Sequence, residues 1–174
     1  MAVLVLGYCG LRWSELAVLR VRHIDLMRRR LIIEAAATEI NGGRIVWGTP
    51  KSHERRSVPI PRSLVDEFVV RLAGKDRNDL AFTSPTETVL RNRNARGLWF
   101  DKAATAVGLA GLTPHELRDT AASLAVSAGA NVKAVQRMLG HASAAMTLDV
   151  YADLFDSDLD SVAQKVSKMC PRWA

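Results

Sequence analysis

The sequence predicts an α+β fold, mainly helical, with a small antiparallel three-stranded β-sheet. Two observations lead there. Over most of the chain apolar residues recur at helical spacing, and the helical runs stop at glycines, including Gly10, Gly74, Gly108 and Gly140. Between Leu31 and Ile60 the period changes, and short β-branched runs bounded by turn residues take over.

Taken in order, the apolar opening is a buried helix running to about Tyr8 and broken at Gly10. A second helix is expected in SELAVLRV, with Leu16, Leu19 and the Val18/Val21 edge on one side. LIIEAA from Leu31, RIVWG from Arg44 and RSVPI from Arg56 read as the strands. Asn41-Gly42-Gly43 supplies the positive φ angles of a hairpin loop. Pro59 cannot donate to a ladder, so the third strand lies at an edge or ends there, and a turn is expected at Lys51-Ser52-His53. Helices then follow. One spans Arg62 to Leu72, with Leu64, Val65, Phe68 and Leu72 at helical spacing. Another spans about Ala95 to Val107, with Leu98, Trp99 and Ala106 as apolar positions. Thr113-Pro114-His115-Glu116 reads as a helix start, with a Thr cap, Pro in the first turn and Glu closing a capping box. That helix should reach about Ala128. The next covers Val132 to Leu139, another begins after Ser143 and carries Tyr151, and a last one presents Leu159, Val162, Ala163 and Val166.

No repeat, low-complexity tract or linker divides the 174 residues, so one domain spanning 1–174 is expected. A chain of this size buries about 70% of its unfolded surface and needs no disulfide or metal to fold. The formal net charge of +6 favours polyanions, although charge alone does not separate a DNA-binding surface from an ordinary basic one. The apolar opening lacks a basic leader and is interrupted by Gly10 and Arg12, which argues against a signal peptide or a membrane span. Cys9 and Cys170 lie at opposite ends with no paired-cysteine motif, the pattern of reduced thiols, with a bridge between them left open. A cytoplasmic protein is expected, and no membrane partner.

Four separated segments carry groups suited to a phosphodiester. In GLRWSEL, Glu15 lies three residues after Arg12 and can hold its guanidinium. In TPKSHERRSVPI, Lys51 sits at a hairpin tip, where an ammonium can reach a leaving oxygen. In TPHELRDT, His115 and Arg118 share a face at the positive end of a capped helix. In MLGHASAAMTLDVYADL, His141 follows a helix-ending glycine and Tyr151 lies on the next helix. Each has an ordinary reading by itself: a surface ion pair, a solvated lysine, a capped helix, a core tyrosine. The histidines His23, His53, His115 and His141 show no zinc spacing, and there is no phosphate-binding G-x-x-x-x-G-K-[ST] loop.

Together, in this order and at this spacing, the segments resemble the tyrosine recombinase family, which includes phage integrases and the bacterial recombinases that resolve chromosome dimers. The resemblance runs from GLRWSEL through the Lys51 hairpin and TPHELRDT to LGHAS and DVYADL, nearly the whole chain. It implies the catalytic domain of a site-specific DNA recombinase, with the breaking-rejoining fold of that family. Tyr151 would be the nucleophile that forms a 3′-phosphotyrosine. Arg12 and Arg118 would clamp the phosphate, Lys51 would protonate the leaving 5′-oxygen, and His115 would act as acid or base. His141 would hydrogen-bond the phosphate, with Glu15 supporting the arginine. Neither cofactor nor metal is implied.

The implied partners are double-stranded DNA, a homotetramer assembled through the C-terminal helix, and host or phage DNA-bending factors. The enzyme would act in the bacterial cytoplasm, at the nucleoid when bound to DNA. The family's N-terminal DNA-binding domains are expected to be absent from these residues. Two positions depart from the family pattern: Asp119 follows Arg118 where many relatives have His, and Ala152-Asp153 follow Tyr151 where a His is frequent. Neither is assigned to the catalytic set. The alternatives are a topoisomerase IB-like DNA relaxation activity and a non-catalytic DNA-binding accessory protein. The intact set of Arg12, Lys51, His115, Arg118, His141 and Tyr151 argues against the latter.

Overall fold

The structure is a computed structural model, and it describes residues 1–40, 44–49, 55–155, 164 and 166–168. Helix α1 (Ala2–Cys9) is apolar on every side, and Val5, Leu6 and Cys9 are fully buried. A helix of that composition is stable only as the centre of a core. It ends at Gly10, whose φ of 67° is left-handed. A Cβ there would come within 2.8 Å of Leu139 Cδ2 and 3.3 Å of Ala121 Cβ, so the end of α1 is packed tightly between two later helices.

Helix α2 is shorter than the sequence suggests, covering only Trp13–Leu16. The expected one-sided stripe is not what forms. Leu16, Ala17, Val18 and Leu19 are all buried, and an extended bridge from Arg20 to Leu80 then takes over. A short 3-10 turn, Val21–His23, leads into strand β1 (Ile24–Asp25).

A three-stranded antiparallel sheet is present, but its membership differs from the expectation. Strand β1 pairs with β2 (Arg30–Ile33), and β2 pairs with the strand Arg56–Pro59. The run from Leu31 breaks after Ile33, where Glu34 is held by His23 Nε2 at 2.7 Å and lies 3.6 Å from Arg55 Nε. Its second half, β3 (Ala36–Ile40), pairs instead with β4 (Arg44–Gly48) as a separate two-stranded hairpin. Strand β5 (Arg56–Pro59) therefore joins β2 rather than β4. Its alternation buries Arg56 and Val58 and exposes Ser57 and Pro59, which puts an arginine on the core side of the sheet. The hairpin loop 41–43 and the turn at Lys51-Ser52-His53 lie outside the described residues.

Helix α3 (Val65–Leu72) follows a 3-10 turn at Arg62–Leu64 and buries Phe68. The helical run expected over 95–107 begins earlier, as α4 (Asn92–Ala95), and passes through a π-turn at Arg96–Phe100 into α5 (Asp101–Ala106). The extra residue of a π-turn rotates everything beyond it. Ala95 faces inward before the turn and Phe100 and Ala104 face inward from its end onward, while Leu98, Trp99 and Ala106 are exposed.

Helix α6 (Glu116–Ser127) begins two residues later than the Thr113 cap and Pro114 start the sequence suggests, although the expected pairing of Thr113 with Glu116 forms. Glu116 Oε2 accepts from the Thr113 backbone N at 2.7 Å and its Oγ1 at 2.8 Å. Helix α7 (Val132–Leu139) is capped by Asn131, whose side chain accepts from Ala134 N, and stops at left-handed Gly140. Helix α8 (Ala144–Phe155) is kinked at Tyr151, where φ is −126° and ψ is 15°. The stretch from Leu159 to Ala163 lies outside the described residues. Among the described residues no helix is long and apolar enough to cross a membrane, and Cys9 is a buried free thiol whose pKa burial pushes up to about 12.

Candidate active site

The site is built on a carboxylate. Glu15, 1% exposed, receives the Arg12 backbone N at 2.8 Å and Arg12 Nη1 at 3.1 Å. From the sheet, Arg56 donates to both of its oxygens, Nη1 to Oε1 at 2.8 Å and Nη2 to Oε2 at 2.7 Å, while Arg56 Nε reaches Met138 O at 3.1 Å. Burial pushes the Glu15 carboxyl up. The hydrogen bond and charge of Arg56, with the backbone N–H and charge of Arg12, outweigh that and hold it below the ordinary range. Bidentate pairs of this kind fix direction as well as charge.

Arg118 forms the second anchor. It is 2% exposed, and its guanidinium donates to Gly10 O at the end of α1 and to Leu139 O at the end of α7. Burial pushes its pKa down to about 10. The positive charges of Arg12 and Arg56 add to that, and Glu15 and Tyr151 oppose it. It remains a cation at neutral pH, and these mutual influences place Arg12, Glu15, Arg56, Arg118 and Tyr151 in one electrostatic neighbourhood.

His141 and Tyr151 close the far side. His141 Nδ1 shares a 3.0 Å hydrogen bond with the buried Thr147 Oγ1, and its ring stacks parallel to Tyr151 with centroids 6.3 Å apart. Its pKa falls to about 4, through burial first and then the charges of Arg118, Arg12 and Arg56, with Asp119 opposing. Tyr151 is 6% exposed and packs with Ala122, Val135 and Leu139. Its hydroxyl donates to Asp119 Oδ1 at 2.6 Å. Burial, that hydrogen bond and the Asp119 charge all push the phenol pKa up, against the opposing charge of Arg118.

His115 is exposed and stands with Arg12 on the lining of a cleft of about 420 Å³, together with Trp13, Thr38, Arg91 and Asn92. A neighbouring hollow of about 410 Å³ is lined by Arg55, Arg56, Lys133, Arg137 and His141. Of the residues singled out from sequence, Arg12, Glu15, Arg118, His141 and Tyr151 thus converge, His115 sits at the mouth, and Lys51 lies outside the described residues. Sequence reasoning passed over Arg56 and Thr147, and it set Asp119 aside. The alternation in RSVPI puts Arg56 on the same face as Val58, which is the one signal that could have found it. Among the described residues no cluster of three or more His, Cys, Asp or Glu could hold a metal ion.

The chain is 31% identical over 179 residues to tyrosine recombinase XerC of Ralstonia pickettii, covering 94% of this chain and 51% of the relative. It is 29% identical over 152 residues to tyrosine recombinase XerA of Thermococcus kodakarensis, covering 83% and 47%. The chain thus spans about half the length of these curated relatives. Its fold matches that of the Tn1549 transposon integrase, solved in complex with transposon right end DNA, with a TM-score of 0.78 at 22% identity over 93% of this chain and 58% of that one. The phage integrase family pattern matches residues 1–158, and the chain belongs to that family.

Proposed function

We propose that residues 1–174 are the catalytic domain of a site-specific DNA recombinase of the integrase type, which cuts and rejoins strands through a 3′-phosphotyrosine at Tyr151. One observation carries the reading: Arg12 and Arg56 share the Glu15 carboxylate, and their charges together with that of Arg118 act on His141, which stacks on Tyr151, in one cationic neighbourhood. A phosphodiester entering it meets fixed positive charge where negative charge builds during attack, the arrangement that lowers a phosphoryl-transfer barrier most.

In this reading the Tyr151 oxygen attacks phosphorus, the bond from phosphorus to the 5′-oxygen breaks, and Arg12 and Arg118 clamp the non-bridging oxygens. Lys51 supplies the proton to the 5′-oxygen, His141 hydrogen-bonds the phosphate, and His115 serves as an acid or base at the mouth. Because the phosphotyrosine keeps the bond energy, a 5′-hydroxyl from a partner strand reverses the step without ATP. The partner is double-stranded DNA, a reading supported by the Tn1549 transposon integrase, which shares this fold and was solved in complex with transposon right end DNA. The second hollow, with Arg55, Lys133 and Arg137, offers cations to neighbouring phosphates. A homotetramer on DNA, joined through the C-terminal helix and aided by DNA-bending factors, and a cytoplasmic, nucleoid-bound location complete the proposal.

A nicked suicide duplex tests it. The chain should give a covalent protein–DNA adduct on a denaturing gel, and Tyr151→Phe should give none while still binding. An adduct formed by the Phe variant refutes the nucleophile, and binding without any wild-type adduct refutes the enzyme.

A further inference from the structure

We propose that Asp119 is a catalytic residue, whose carboxylate takes the Tyr151 proton as the phenol oxygen attacks phosphorus. The inference deepens the phosphotyrosine reading and rests on it.

The geometry is direct. Tyr151 Oη donates to Asp119 Oδ1 at 2.6 Å, within the reach a general base needs. Neither imidazole is so placed. His141 lies parallel to the phenol ring and ties its Nδ1 to Thr147, while His115 stands exposed on the cleft lining. The titratable and charged groups around the phenol are Asp119 and Arg118 from α6 and His141 from the connection between α7 and α8.

The helix explains how base and clamp come from adjacent residues. Successive side chains on a helix diverge by about 100°. Arg118 therefore turns toward the carbonyls that end α1 and α7, and Asp119 turns toward α8. Both lie in the first turn of α6, where the helix dipole favours a carboxylate.

The resting phenol needs such an acceptor. Burial and the neighbouring carboxylate keep it protonated, so no phenolate waits for DNA and the proton must leave during attack. The bond from Tyr151 Oη to phosphorus forms and the bond to the 5′-oxygen breaks. The phenol proton passes to Asp119, and Lys51 gives a proton to the 5′-oxygen. In rejoining, the attacking 5′-hydroxyl gives its proton back to Lys51, and Asp119 returns its proton to the departing Tyr151 oxygen.

The probe is a pool of nicked duplexes with a randomised core, scored for covalent adduct against pH. Asp119→Asn preserves shape and can still accept the hydrogen bond, but it cannot hold the proton. It should slow adduct formation near neutral pH by about 10²–10⁴-fold. The remaining rate should climb about tenfold per pH unit, since only hydroxide is left to remove the proton. Asp119→Glu should recover part of the rate, and it guards against loss by misfolding. Tyrosine-selective ¹³C NMR, with Tyr8→Phe to assign the two signals, should show the Tyr151 phenol becoming more acidic in Asp119→Asn. If wild type forms adduct and Asp119→Asn matches its rate, or falls by one factor at every pH, the base assignment is overturned and the phosphotyrosine reading stands. If wild type forms no adduct with any member of the pool, both fall.

Discussion

Arg56 meets both carboxylate oxygens of Glu15, at 2.8 and 2.7 Å, inside the core and not at its surface. The pair joins strand β5 to the helix that starts at Arg12, and so sets the sheet against the arginine of the cleft. Breaking a buried pair by removing one partner is costly, because the other charge is left without compensation. Arg56→Ala strands Glu15 with Arg12 alone and deprives Met138 O of its donor. It should lower unfolding free energy by about 3–5 kcal/mol, read from the urea midpoint at constant slope. A wild-type midpoint would show that the pair does not hold the sheet in place.

The same carboxylate governs acid sensitivity. Its pKa is lower in the folded chain than the ordinary 4.5, so the unfolded chain binds its proton first as pH falls. Glu15 therefore adds stability above pH 4.5 and loses it below, as pH drops through the lowered value. Glu15→Gln should flatten that acid limb when urea midpoints are compared from about pH 7 to 3. An unchanged slope below the ordinary carboxylate range would contradict the role given to Arg56.

His141 reports on the hollow from the other side. With a pKa near 4, below its ordinary 6.5, it is neutral at physiological pH. Between those values the unfolded chain takes the proton and the folded chain does not, so this residue costs stability as pH falls from 6.5 toward 4. Orthovanadate bound among Arg118, Arg12 and Arg56 would offset the charges that depress it, and its pKa should rise. Imidazole NMR titration with and without vanadate measures this. A His141 signal indifferent to a bound anion would mean that the arginines and the imidazole do not share one site.

Much of this arrangement is legible in the amino acids, and the exceptions have physical causes. Gly10 and Gly140 end helices where the sequence predicts, because each adopts a left-handed φ of 67°. The capping box at Thr113 and Glu116 is likewise local chemistry, and it forms. What the sequence could not convey was long-range pairing. LIIEAA reads as one strand, yet its halves join different sheets, since partner choice depends on residues elsewhere in the chain. Arg56 has the sequence neighbourhood of a surface cation, and only the pairing of β5 with β2 turns it inward. Asp119 looked peripheral because the contact that singles it out is with a phenol 32 positions away. Leu98 and Trp99 carry the apolar signal of a buried face, but the π-turn moves that face to Phe100 and Ala104.

Arg118 takes its two backbone acceptors from Gly10 and Leu139, positions separated from it by 108 and 21 residues. One acceptor lies far before Arg118 in the chain and the other after it, so both are in place only once α1 and α7 have packed against α6. The orientation of this guanidinium is therefore a property of the completed tertiary structure and of no local segment.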